Sequence, residues 1–345
     1  MVQNVLVTGG NGFIAVHIIV LLLQRGYAVT TTVRSENKTT YLRKRFASAV
    51  SEGQLRFAIV EDITVPGAFD EVIKINKFDA VLHTSSPFVY DINDVTKDLL
   101  MPAIQGTTEM LKSIKAHGPS VKRVVITSSF ASIMNLDEGN RSGYVYSEKD
   151  WNPMSFERAQ QDPLYGYCGS KVFAEKAAWE FIEAENPGFD LVTLCPPTVV
   201  GPVLQEVTDL DKLNTSSAIS YDVFAGKTKL KFPGAWIWTD VRDLATAHVA
   251  AIEKPAAGNQ RFFITEGNYN IGQIADFVWK HYPERAKAKG VPKSTPEDGY
   301  PPEGNYRADN SKSKDILGLK YTPFETTLKD QMEQFITLEK EFGIE

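Results

Sequence analysis

The chain has 345 residues, of which 43% are hydrophobic and 23% charged, and it carries a formal net charge of −6. That profile fits a soluble globular protein and excludes a basic, nucleic-acid-binding one. Two cysteines, Cys168 and Cys195, are too few for a secreted disulfide scaffold; they suggest free thiols, a reducing compartment and a cytoplasmic location.

The first element is a short apolar run, residues 2–7, that ends in TGG. An apolar segment, Phe13 to Leu23, follows and is interrupted by His17. It is about half of the ~20 residues needed to span a membrane, so it reads as a buried helix and no membrane is implied. AVTTTVR, LRFAIVEDI, DAVLHTSS, KRVVITSS and FDLVTLCPP are further short, largely β-branched runs. Helical-length segments lie around 66–76, 95–117 and 167–185. Apolar strands alternating with helices predict an α/β, Rossmann-like, doubly wound parallel sheet covered on both faces. The rhythm changes after about residue 200. Residues 1–200 are expected to form the dinucleotide-binding domain, with returns around 237–265. Residues 201–345 are expected to be mainly a smaller substrate-binding lobe. Within it, helices are predicted over 271–281 and 324–342, and the Pro-, Gly- and charge-rich stretch 283–308 reads as loop.

VLVTGGNGFIA places Gly9, Gly10, Gly12 and Ala15 at the turn from the first strand to the first helix. Glycine there permits a tight turn and lets backbone approach a pyrophosphate, while the helix N-terminus supplies unpaired N–H groups. An NAD-preferring fold ends its second strand in an acid that holds the ribose 2′-hydroxyl. Here that strand ends in Arg34, with Lys38 nearby. A guanidinium suits a 2′-phosphate, so NADP(H) is the expected cofactor. Asp62 ends the third strand, where it is expected to face the adenine. Pro196 and Val199, just after the sixth strand, are placed beside the nicotinamide.

Tyr167 and Lys171 are four residues apart, on one face of a helix; Tyr165 points elsewhere. A phenol titrates near ~10, and a neighbouring ammonium is expected to lower that value. Tyr167 is the candidate proton donor to a carbonyl oxygen. KRVVITSSF ends in serines at the carboxyl edge of the sheet, where ligands bind. Ser129 is preferred over Ser128 as the group that holds the substrate oxygen. A Y-x-x-x-K alone is commonplace; the order of glycine loop, strand-end serine and Tyr/Lys helix carries the weight. The five histidines show no ligand spacing, so no metal is expected, and Cys168 lacks a base partner.

TGGNGFIA, HTSSPF, TSS, YCGSKVFAEKAAWEF and PPTVVGP together resemble the extended short-chain dehydrogenase/reductases over almost the whole chain. They resemble in particular the fungal NADPH-dependent methylglyoxal/3-methylbutanal reductases, with plant dihydroflavonol and cinnamoyl-CoA reductases more distant. The resemblance implies an NADPH-dependent carbonyl reductase acting on aldehydes and ketones, with Ser129, Tyr167 and Lys171 catalytic. It implies cofactor contacts at Gly9, Gly10, Asn11, Gly12, Phe13, Ile14, Arg34, Lys38, Asp62, Ile63, Thr84, Tyr167, Lys171, Val199 and Ser216. Fungal relatives often carry tyrosine after the catalytic serine and two residues beyond the sixth-strand proline. Phe130 and Thr198 stand at those places, which implies a roomier, more apolar pocket. Phe88, Phe130, Thr198, Trp236 and Trp238 are the pocket candidates. The alternatives are an NAD-dependent sugar-nucleotide epimerase or dehydratase and a non-catalytic NADP-sensing regulator. Either a monomer or a homodimer is compatible with the sequence.

Overall fold

The structure, a computed structural model, describes residues 3–86, 92–227, 229–230 and 234–344. Seven parallel strands form the main sheet: β1 (Asn4–Thr8), β2 (Ala28–Val33), β3 (Leu55–Ile59), β4 (Ala80–His83), β5 (Arg123–Thr127), β6 (Asp190–Cys195) and one contributed late in the chain. Three strands of a second sheet are β7 (Thr198–Val200), β8 (Ile237–Asp240) and β10 (Gly267–Asn268), and β9 (Gln260–Phe263) lies between the last two in sequence. The main sheet runs β9-β6-β5-β4-β1-β2-β3 and the smaller one β10-β8-β7.

The β-branched residues of β1 and β2 suit a pleated, two-sided buried position. Residues Val5, Val7 and Val29 face one core, which helix α1 (Phe13–Gln24) helps to cover. Arg25 and Gly26 end that helix, Gly26 taking φ +81° so that the chain can turn into β2. The opposite face carries Leu6, Val81 and Val124 and is covered by α2 (Met101–His117) and α3 (Pro163–Glu185). α3 begins four residues before Tyr167, earlier than the sequence pattern suggests. Asp162 caps it, accepting from the N–H groups of Leu164 and Tyr165, and Pro163 occupies its first turn, where a missing N–H costs nothing.

Beyond residue 200, α4 (Thr215–Phe224), α6 (Ile271–His281) and α9 (Phe324–Glu341) enclose a core with Trp238, Tyr221 and Phe335 at its centre. α5 (Val241–Glu253) instead packs its alanine-rich face on α1, beside the main sheet. The stretch 283–308 is not all loop: α7 (Pro283–Lys289) forms there, started by Pro283, and buries Ala286. α8 (Ser311–Leu317) precedes the last helix. The strand order reverses between β1 and β4, and the carboxyl ends of both strands open there into a long cleft that runs under the second lobe.

Candidate active site

The glycine loop forms the floor of the cleft. Gly9 has φ +69°, and a side chain on it would meet the Ser85 backbone and Cβ at 3.1–3.4 Å. Gly10 has no room at all: a Cβ would lie 1.9 Å from Thr31 Oγ1, so this position seals the loop onto β2 and does not line the cleft. Gly12 is the N-cap of α1, and no side chain caps that end. The first-turn N–H groups are therefore left for a ligand's phosphates, and no acid in the first turn competes. Thr8 ties the floor to the next strand: its Oγ1 accepts from the Thr84 and Ser85 N–H groups, each at 3.1 Å.

One half of the cleft, about 620 Å³, is lined by Asn11, Arg34, Asp62, Ile63, Thr84 and Ser86. No acid among the described residues pairs with Arg34, which is exposed at the end of β2. Asp62 Oδ1 accepts from Thr64 N–H at 2.8 Å and Thr64 Oγ1 at 2.7 Å, which holds its carboxyl below the usual range. Lys38 sits on the exposed side of the following 3₁₀ turn and does not line this half. The cradle fits a dinucleotide: a backbone-only phosphate floor, a helix N-terminus and a guanidinium at the ribose end.

The other half, about 750 Å³, brings Ser129 and Tyr167 together with Gly9, Phe13, Ile14, Thr198, Val199 and Ser216. Pro197 lines it where Pro196 was expected; Pro196 instead uses its carbonyl to accept from Phe130 N–H at 2.8 Å, joining the ends of β5 and β6. Ser129 Oγ accepts from the Ala131 N–H at 3.1 Å, which fixes its rotamer. Tyr167 faces the cleft and is 37% exposed. Tyr165 turns away, donating to Asp137 Oδ1 at 2.6 Å beneath the Arg158 guanidinium.

Lys171 Nζ lies 5.6 Å from the centre of the Tyr167 ring and donates to Ser86 Oγ at 3.2 Å. The phenol is not lowered overall, as the spacing suggested it would be. Loss of surrounding water within the cleft raises the Tyr167 phenol, with the Ser129 hydroxyl pulling the other way. Burial lowers the Lys171 ammonium to about 8. His83, beside the same lysine, is lowered to about 4 by burial and is neutral. Cys168 is pushed up to about 12 by burial, which leaves it an inert thiol.

The remaining walls are Ile92, Leu99, Met134, Leu136, Leu164 and Ile219, none of which stands out in sequence. Phe130 borders the cleft but is almost wholly buried, stacked on Phe263 at 5.2 Å and edge-on to Tyr146 at 5.3 Å. Trp236 is not a lining residue: its indole N–H donates to Asn140 Oδ1 at 2.9 Å, and only the adjacent Gly234 and Ala235 reach the cleft. Trp238 is fully buried, packed on Phe324 at 4.6 Å in the core of the second lobe, and is likewise not a pocket residue. Phe88 lies outside the described residues. No cluster of metal-ligating side chains occurs among the described residues, and none of their helices is long and apolar enough to cross a membrane.

Residues 5–272 match the model of the NAD dependent epimerase/dehydratase family. The chain is 42% identical over 336 residues to the ketoreductase azaE of Aspergillus niger, covering 96% of each chain. It is 36% identical over 347 residues to the NADPH-dependent methylglyoxal reductase GRE2 of Saccharomyces cerevisiae, covering 98% of this chain and 99% of that one. The crystal structure of yeast methylglyoxal/isovaleraldehyde reductase Gre2 complexed with NADPH superposes with a TM-score of 0.88, at 35% identity, over 98% of this chain and 99% of that one.

Proposed function

The chain belongs to the NAD dependent epimerase/dehydratase family, and from that premise we propose that it reduces apolar ketones and aldehydes to alcohols, with Tyr167 as proton donor. It is an NADP-dependent oxidoreductase. The observation that carries the specific reading is the pairing of Ser129 and Tyr167 on a cleft with an aliphatic wall at Ile92, Leu99, Leu136, Leu164 and Ile219.

When bound, the nicotinamide supplies hydride to the carbonyl carbon. The chain's own residues do the rest. Gly9, Gly12 and the start of α1 receive the phosphates through backbone N–H groups, and Arg34 receives the 2′-phosphate. Ser129 uses its acceptor side on Ala131 N–H, which leaves its own proton for the substrate oxygen. Tyr167 holds its proton at neutral pH, as a phenol titrating at or above its ordinary value of ~10 does. It gives that proton to the oxygen as negative charge develops there. Lys171, mostly charged below about pH 8, stabilises the phenolate left behind.

Leu136, Leu164 and Ile219 offer no partners for sugar hydroxyls, and the polar lining residues Asn214, Thr215 and Ser216 are confined to one short stretch, which favours reduction over sugar-nucleotide epimerisation. A three-carbon dicarbonyl is too small to reach across to Leu136, Leu164 and Ile219 together; branched, aryl or ketoester substrates reach them. Two buried free cysteines support a reducing, cytoplasmic setting.

The test is isotopic. Reduction of a prochiral aryl ketone with NADPH carrying two deuteriums at C4 is expected to place one deuterium on the carbinol carbon. An alcohol without label, or no alcohol with any carbonyl compound, would remove the proposal.

A further inference from the structure

Four residues beyond Lys171 on the same face of α3 lies Glu175, wholly enclosed and absent from the reaction described above. Its carboxylate joins two strands and the segment that follows β5 to the helix. Arg261 on β9 donates from Nε to Oε1 at 2.7 Å, and Thr193 on β6 donates to the same oxygen at 2.7 Å. Ser128 and Ser132 each place a hydroxyl 2.6 Å from Oε2. Those two serines flank Ser129, one directly before it and one a turn after. Ser132 Oγ also lies 2.7 Å from the Ser129 carbonyl oxygen and 2.9 Å from Arg261 Nη2. Arg261 is fixed in turn by the Glu148 carbonyl at 3.0 Å and by the Trp151 ring, 3.7 Å from its guanidinium carbon.

Burial alone would push the Glu175 carboxyl up; the guanidinium and the hydroxyl donors overcome this and hold it below its ordinary range, so the pair is ionised. A well-packed apolar pair of the same volume is often as stable as a buried ion pair, so stability does not by itself account for a charge here. Geometry does. Tyr167, Lys171 and Glu175 are successive turns of one helix face, and the sheet-side end of that face is bolted to the residue before Ser129 and to one a turn after it.

We infer that Glu175, with Arg261, is a positioning residue: through Ser128 and Ser132 it sets Ser129 against Tyr167 in the register that proton donation needs. The inference rests on the reductase reading for its kinetic readout, and a second readout is independent of turnover. A group that merely stabilises the fold would change the melting temperature and leave the rate per folded molecule untouched.

The experiment compares the full-length chain with Ser132→Ala, Ser128→Ala/Ser132→Ala and Glu175→Gln, well below each melting temperature. The expected result is a kcat lower by about tenfold to a hundredfold, the loss that follows an ångström-scale misplacement, with NADPH affinity unchanged. Glu175→Gln added to the double serine variant is expected to cost no more, since all three act through one chain of contacts. The near-ultraviolet absorbance titration of Tyr167, taken as the difference from Tyr167→Phe in each background, is expected to move to higher pH when Ser129 loses its place. If Glu175→Gln does not fold, Ser132→Ala decides. Unchanged kcat together with an unchanged phenol titration in Ser132→Ala and in the double serine variant would overturn the inference. A wild-type chain that reduces no carbonyl compound would instead remove the reductase reading, and the titration would still decide the positioning role.

Discussion

Lys171 donates to Ser86 Oγ across the cleft at 3.2 Å, and this bond links the helix that carries Tyr167 to the loop that follows β4. The lysine is thereby held beside the phenol before any ligand binds. Removing the hydroxyl in Ser86→Ala is expected to lower kcat/KM by about tenfold, the worth of one hydrogen bond to a charged group. Steady-state kinetics with NADPH and one ketone checks this; an unchanged kcat/KM would show that Ser86 is idle.

Tyr167→Phe removes the phenol proton and the hydrogen bond to Ser129, and keeps the ring. Loss of a positioned general acid lowers kcat by about 10²- to 10⁴-fold. NADPH affinity, read by fluorescence quenching of the tryptophans, is expected to stay the same. A variant that keeps full activity would refute the assignment of the donor.

Lys171 trades stability for function. Its folded-state pKa of about 8 lies below the ordinary 10.5. Between those two values the unfolded chain holds the proton and the folded chain does not, so stability rises with pH across that window and the full cost is present below about pH 8. Lys171→Met is expected to melt at a higher temperature than the wild type at pH 7, with the gain shrinking towards pH 10.5, and to lose its activity. Calorimetry at the two pH values checks the sign; a variant less stable at pH 7 would contradict it.

Arg34→Asp is expected to reduce the NADPH-over-NADH preference by about 10- to 100-fold, since a charged hydrogen bond is worth roughly 1.5–3 kcal/mol. The ratio of kcat/KM values for the two cofactors reads this directly. An unchanged ratio would show that another group selects the phosphate.

Ile219 lines the substrate half of the cleft from α4. Ile219→Trp is expected to cut kcat/KM for an aryl ketone by about tenfold or more through steric exclusion. Activity on a three-carbon aldehyde is expected to persist. Equal losses on both would place the aryl group elsewhere.

Much of the site is legible in sequence because its parts obey local rules. The glycine loop, the strand-end serine and the Tyr/Lys pair each follow from a turn, a strand terminus or a helical spacing. What is not legible depends on packing at a distance. Trp236 and Trp238 sit in one loop-like stretch, and nothing local distinguishes a pocket wall from a core residue. Trp238 is buried because Phe324, far along the chain, lies against it. Composition misleads at 283–308, where proline and charge suggest loop, yet Pro283 starts α7 and Gly290 ends it. Glu175 and Ser86 stand in quoted motifs, but their partners Arg261 and Lys171 are 86 and 85 residues away. The apolar walls fail for the same reason: Ile92, Met134 and Leu164 meet only when the fold closes. The upward shift of Tyr167 comes from loss of water within the folded cleft, which spacing to Lys171 does not report.

The most direct measurement is the decay of NADPH absorbance when the purified chain meets a panel of aryl ketones, ketoesters, branched aldehydes and α-dicarbonyls. The expected result is turnover that is faster for the larger apolar substrates than for methylglyoxal and is lost in Tyr167→Phe. Turnover of none of them, or equal turnover in wild type and Tyr167→Phe, would contradict the account.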